Sequence, residues 1–215
     1  MASKQVHTER GFDRLVNFSD AVVAIAITLL ILPLVDSAGE LGELSIGALF
    51  DRMWPQLLVF GISFAVIGRF WLAHHRAFEH YSGYNAALLW VNLLWLLTIV
   101  FLPFPTELMA QGGNTSQATV LLYIGTMVLT SAAATVSQWI VIRNPELQAA
   151  EVRGTLGIRS QLSSLVLLVA ALLVSQLVPG VGLFALLLML LSGPLQLLLG
   201  RIGRPASAEK PPPPA

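Results

Sequence analysis

The sequence predicts an all-α membrane protein with six transmembrane helices. Composition and run length carry that expectation. Of 215 residues, 55% are hydrophobic and only 11% charged, against about 25% charged in ordinary soluble domains. Mean hydropathy is +0.75, and apolar stretches approaching the ~20 residues that a bilayer-crossing helix needs recur along the whole chain. This profile excludes an ordinary soluble enzyme, a disordered chain and a typical nucleic-acid-binding domain. Cysteine is absent, which excludes disulfides, thiolate metal sites and cysteine catalysis.

The spans are expected at Leu15–Val35, Pro55–His75, Tyr84–Phe104, Gln117–Ile142, Arg159–Val178 and Gly182–Gly200. Helices are the default because backbone polar groups in lipid must be satisfied internally. Barrel strands would alternate, and runs such as Leu165–Leu168 do not. Span one is followed by the longest connection, Asp36–Trp54, which carries Asp36, Glu40, Glu43 and Asp51. Span two carries Arg69 and His74 near its end, and Gly61 and Ser63 read as a packing surface. Pro33, Pro103 and Pro105 fall near the outer ends of their spans and read as residues that cap or kink helices. The stretch 111–116, Gln-Gly-Gly-Asn-Thr-Ser, reads as a loop. Span four holds the small residues Ser131–Thr135, another packing surface. Spans five and six are Leu-rich, split by Pro179-Gly180, and read as lipid-facing or scaffolding. Residues 1–200 thus form one transmembrane domain, and 201–215 form a Pro-rich tail expected to be disordered. Trp54, Trp71, Tyr81, Tyr84 and Trp139 sit at span ends, where aromatic belts form.

Charge placement sets the orientation. With both termini cytoplasmic, Lys4, Arg10, Arg14, Arg69, Arg76, Arg143, Arg153, Arg159, Arg201, Arg204 and Lys210 lie inside and Arg52 alone outside. This positive-inside bias also favours an even number of spans. The N-terminal apolar stretch is long enough to span and contains Asp20, unlike a cleaved signal peptide.

The chemistry concentrates in span one. Asp20 lies about one turn into it, and an intramembrane carboxylate is costly enough to imply a function or a partner. Ser19, Asp20, His74 and an arginine fall at similar depth and are able to form a network. That network reads either as a site or as a structural clamp between helices. Beyond it, Ile25, Leu29 and Leu32 are spaced i, i+4, i+7 on one face, with Thr28 beside them. Around a symmetry axis such a face would make a narrow apolar pore that gates by dewetting. The same spacing is common in buried helices. His75 and Glu79, at i, i+4, suggest either a zinc pair or, more simply, a polar interfacial segment.

Arg14-x-x-x-Phe18-Ser19-Asp20 followed by this helix closely resembles the signature of the transmembrane protein 175 family. These are the endosomal and lysosomal potassium channels and their smaller prokaryotic relatives. The resemblance implies six spans with cytoplasmic ends and first helices lining a central ion path. It implies a hydrophobic constriction and gate at Ile25, continued outward by Leu29 and Leu32. Thr28 matches a threonine implicated in cation preference. Arg14, Phe18, Ser19 and Asp20 would support the pore helix, with Trp71 and His74 as partners. Animal relatives carry two repeats and this chain one motif, so four copies around the pore imply a homotetramer. The implied location is a prokaryotic plasma membrane. The implied partners are the lipid bilayer, monovalent cations and further copies of the chain, with no nucleic acid. Permeant potassium near Ile25 and Thr28 is the only ion expected, with no resident cofactor or fixed metal.

No Thr-Val-Gly-Tyr-Gly loop occurs, so a carbonyl filter is not available and potassium preference would be modest. An enzyme is not expected, because Gly-x-Ser-x-Gly, His-Glu-x-x-His and paired intramembrane acids are all missing. The rival reading is a proton-coupled secondary transporter that relays protons between Asp20 and His74.

Overall fold

The computed structural model describes residues 9–40, 45–111 and 116–177. They form helices α1 (Glu9–Leu29), α2 (Leu32–Glu40), α3 (Ile46–Phe78), α4 (Ala86–Phe101), α5 (Pro103–Gln111), α6 (Gln117–Arg143) and α7 (Arg159–Leu177). Two single-turn 3-10 helices, Pro145–Leu147 and Ala150–Val152, link α6 to α7. Five helical segments are long and apolar enough to cross a membrane: 10–39, 46–78, 86–110, 117–143 and 159–177. They match the first five expected spans. The sixth, Gly182–Gly200, and the tail lie outside the described residues.

Two spans are broken where proline dictates. Pro33 has no N–H, and its ring crowds the carbonyl four residues earlier, that of Leu29. The chain responds by tightening: the amides of Leu30 and Ile31 reach back only three residues, to Ile27 and Thr28, at 3.3 Å each. Helix α2 then continues the span. Span three breaks in the same way at Leu102, and Pro103 opens α5 at a position where a missing N–H costs nothing. Pro55, by contrast, sits inside α3.

The expected long connection Asp36–Trp54 is mostly helical. Helix α2 runs to Glu40, and α3 starts at Ile46 behind the cap Ser45, whose Oγ accepts from the Ala48 amide. Asp51 and Trp54 therefore ride on α3. The acidic residues misled because polarity was read as loop. A helix that extends beyond the hydrocarbon layer exposes polar residues equally well.

The main core packs Val23, Ala26 and Leu30 of α1 against Ile67 and Phe70 of α3. Trp95 and Ile99 of α4 and Tyr123 and Met127 of α6 complete it. Polar rivets supplement the packing, as expected where lipid gives helices no hydrophobic reason to associate. Ser63 Oγ lies 3.1 Å from both Tyr123 OH and Thr106 Oγ1, joining α3, α6 and α5. Thr130 Oγ1 donates to Thr98 Oγ1 at 2.9 Å, joining α6 to α4. In α7 only Leu168, Ala171 and Ser175 are buried, in keeping with a peripheral helix.

Two of the expected belt aromatics serve the interior instead. Tyr81 is buried and donates to Gln138 Oε1 at 2.7 Å, and burial pushes its phenol pKa up. Trp71 belongs to the cluster around α1 described below. Trp54 and Trp139 remain exposed.

Candidate functional site: an anchored first helix with one uncovered face

Helix α1 has two unlike sides. Phe12, Leu15, Ser19, Val23 and Ala26 are buried, and Leu30 and Leu34 continue that stripe past the break. Arg14, Phe18, Ala21, Ile25, Thr28 and Leu29 form the opposite, exposed stripe, which Leu32 and Val35 extend along α2. The contrast is sharp at adjacent positions: Ile25 is 61% exposed and Ala26 is 0%. Both stripes follow helical periodicity. Ile25, Leu29 and Leu32 do share a face, as the spacing suggests, but Leu32 lies across the proline break as the first residue of α2.

Polar groups at the motif hold the buried side. Ser19 donates to the Leu15 carbonyl at 2.9 Å and accepts from Asn92 Nδ2 at 2.9 Å. The Asn92 amide oxygen lies 2.8 Å from His74 Nε2. Because that oxygen can only accept, the neutral ring carries its proton on Nε2. The imidazole is sandwiched between Phe78 and Trp95, with centroids 4.0 and 4.1 Å away. One chain of contacts thus ties α1, α4 and α3.

A second branch starts at Asp20. Its Oδ1 accepts from Trp71 Nε1 at 2.8 Å, and the Trp71 ring stacks on His75 at 5.4 Å. His75 in turn lies 3.5 Å from Glu79. Among the described residues no third ligating group joins this pair to make a metal site.

The structure therefore brings Ser19 and His74 together, and Asp20 and Trp71 together, on separate branches. The residue missed by sequence reading is Asn92, 1% exposed in the middle of an apolar run. An amide within span three was the available signal, since a buried polar side chain demands partners. Arg14 and Phe18 stand on the exposed stripe, away from this network. Thr28 is exposed too, and its hydroxyl donates to the Ile25 carbonyl at 2.8 Å. That bond uses the only hydroxyl proton, so the oxygen lone pairs are what Thr28 offers to its surroundings.

These features define an all-helical integral membrane protein built around a clamped first helix. The comparisons then make the assignment specific. The family model described as endosomal/lysosomal potassium channel TMEM175 matches residues 14–103, a stretch that contains every residue of the two branches. A Streptomyces collinus protein named as a potassium channel is 35% identical over 160 residues, covering 69% of this chain and 75% of that one. The chain belongs to the TMEM175 family. The human protein named endosomal/lysosomal proton channel TMEM175 is 34% identical over 101 residues, which cover 45% of this chain and 19% of that one. The fold is that of a crystal structure described as a lysosomal potassium-selective channel TMEM175 homolog from Chamaesiphon minutus. The TM-score is 0.71 at 24% identity, covering 87% of this chain and 98% of that one.

Proposed function

We propose that this protein is a potassium-preferring cation channel, assembled as a homotetramer with four copies of α1 around the ion path. Ile25, Leu29 and Leu32 form the hydrophobic constriction, and Thr28 supplies the oxygen that favours a partly dehydrated cation. The observation that carries this reading is the uncovered face of α1, on a helix whose other side is fixed by the Ser19 and Asp20 branches. A ring of such side chains excludes water when narrow and conducts when it widens or becomes polar. Ser19 and Asp20 set the rotation of the helix, with Trp71 and His74 behind them, and Arg14 and Phe18, on the exposed stripe, face the neighbouring copies. The membrane is a prokaryotic plasma membrane, with both termini cytoplasmic.

The test is potassium flux through purified protein in liposomes, wild type beside Ile25→Asn. The wild type should pass potassium weakly and sodium less well, and Ile25→Asn should conduct more because a polar ring stays wet. Flux that is strictly proton-coupled, unchanged in Ile25→Asn and abolished by Asp20→Asn at intact assembly, would replace the pore by a transporter using Asp20 and His74.

A further inference from the structure

The exposed stripe of the first span does not end at Leu32. Within α2, Asp36 follows Leu32 by four residues, so the two share a face. Leu34 fixes which face that is. It is buried, and at about 100° per residue Asp36 stands roughly 200° round the helix from it. Asp36 is accordingly exposed. Ile25, Leu29, Leu32 and Asp36, at i, i+4, i+7 and i+11, thus make one exposed line of three apolar side chains followed by a carboxylate.

Depth separates the carboxylate from those three. The apolar run that crosses the hydrocarbon core is Leu15–Val35, about the ~20 residues that a crossing needs. Asp36 is the first residue past it, where a carboxylate keeps its water. Helix α2 runs on to Glu40, so Asp36 is held on a helix and not on a loop. Its azimuth is therefore tied to that of Leu32.

We infer that Asp36 determines conductance in the proposed channel: its four copies ring the outer mouth and raise the cation concentration just ahead of the constriction. The inference rests on the homotetrameric pore proposed above. Rings of Asp or Glu serve cation channels in this way, through a summed field that low-dielectric walls focus into the opening. Helices about 10 Å across, packed four around an axis, hold residues on their inner faces within roughly 10 Å of it. Four unit charges at that range enrich a monovalent cation about fivefold at ~10 mM salt, where the screening length is ~30 Å. At ~1 M salt the screening length is ~3 Å and the enrichment all but vanishes. The effect matters most when the lining itself is apolar. Ile25, Leu29 and Leu32 offer a cation no charge, so conduction draws on the supply at the mouth. Asp51 is exposed as well, but on α3 and not on the stripe, and it serves as the control.

The sequence has no cysteine, so one introduced at position 36 can be given either charge by thiol reagents. The experiment is unitary conductance of the full chain in planar bilayers of neutral lipid, in symmetric KCl, with Ile25→Asn as the conducting background. Asp36→Cys should lower conductance about fivefold at ~10 mM KCl and hardly at ~1 M. A methanethiosulfonate carrying a sulfonate should restore it, and one carrying trimethylammonium should lower it further. Each channel before and after reagent is its own folding control. If Asp36→Cys does not assemble, Asp36→Asn should show the same loss with the same salt dependence. The reagents on Asp51→Cys should change conductance much less. Conductance that ignores the charge at position 36, or responds equally at position 51, overturns the ring and leaves the pore. A chain that conducts nothing, or conducts alike with and without Ile25→Asn, refutes the pore and the ring with it.

Discussion

Asn92 is where the packing of α1 is most open to test. Replacing it with Leu keeps the number and branching of the side-chain heavy atoms and removes two hydrogen bonds, one to Ser19 Oγ and one to His74 Nε2. Interhelical hydrogen bonds in membrane proteins average ~0.6 kcal/mol and reach ~1.7 kcal/mol. Ser19 keeps its bond to the Leu15 carbonyl, so its loss is small. His74 does not fare as well: its Nε2 proton is left in a slot between two aromatic rings, and a stranded buried donor costs ~1–3 kcal/mol. The expected destabilisation is therefore about 2–3 kcal/mol, most of it from His74. A double-mutant cycle isolates this. On a His74→Phe background no donor is left to strand, and Asn92→Leu should cost about 2 kcal/mol less than in the wild type. The assay is reversible unfolding in mixed micelles, followed by tryptophan fluorescence, to which Trp95 contributes from its stack on His74. If the two substitutions add to within ~0.3 kcal/mol, the coupling does not exist, and the branch from Ser19 through Asn92 to His74 is wrong.

The other predictions concern different parts of the bundle. Trp71→Phe keeps the aromatic stack on His75 but removes the N–H given to Asp20. It should cost about 1.5 kcal/mol, the low end for a bond to a charged group, because the carboxylate is only half-buried. The same substitution in an Asp20→Asn protein should cost clearly less, and equal costs would discount the contact. Gly154→Ala should lower stability by about 1 kcal/mol through backbone strain alone. Its φ is +79°, while an added Cβ meets nothing within 4 Å. An unchanged melting temperature would mean that the 150–158 turn does not hold that conformation in solution.

How much of this was legible in the sequence depended on which physical property carried the signal. Five described spans follow from hydropathy because lipid enforces it residue by residue. Pro33 and Pro103 were visible as punctuation, yet their effect, two helices per span rather than one bent one, depends on the backbone bonds that the neighbouring residues make. Trp71 looked like an interfacial aromatic because belts and interior clamps use the same residue type. The family resemblance marked it as a partner of the motif, and Asp20 at 2.8 Å is the residue it holds. Asn92 was passed over because an isolated amide has no spacing rule. Its meaning lies in Ser19 and His74, which are 73 and 18 residues away in the chain. Short-range pattern thus locates elements and the Phe18-Ser19-Asp20 motif, while long-range pairing decides what the motif grips.

That grip bears on why α1 is built as it is. A helix that merely faces lipid has no need of a fixed rotation, since acyl chains accept any apolar face. Here the rotation is held three times over: by Phe12 stacked on Phe78 at 5.8 Å, by Ser19 on Asn92, and by Asp20 on Trp71. All three anchors lie in the half of α1 before Ile25. They leave the turns from Ile25 onward with apolar contacts alone on the buried side, through Ala26 and Leu30. A clamped base below a proline-broken upper half sets the azimuth of Ile25 through polar anchors and puts Leu32 beyond a break in the helix bonds. The proposed channel requires both properties. A constriction that must exclude water needs side chains in register from copy to copy, and a constriction that must open needs a point about which its outer part moves. In the proposed channel the carboxylate and hydroxyl of the motif meet the first requirement and Pro33 the second, which places the two functions thirteen and fourteen residues apart on one span.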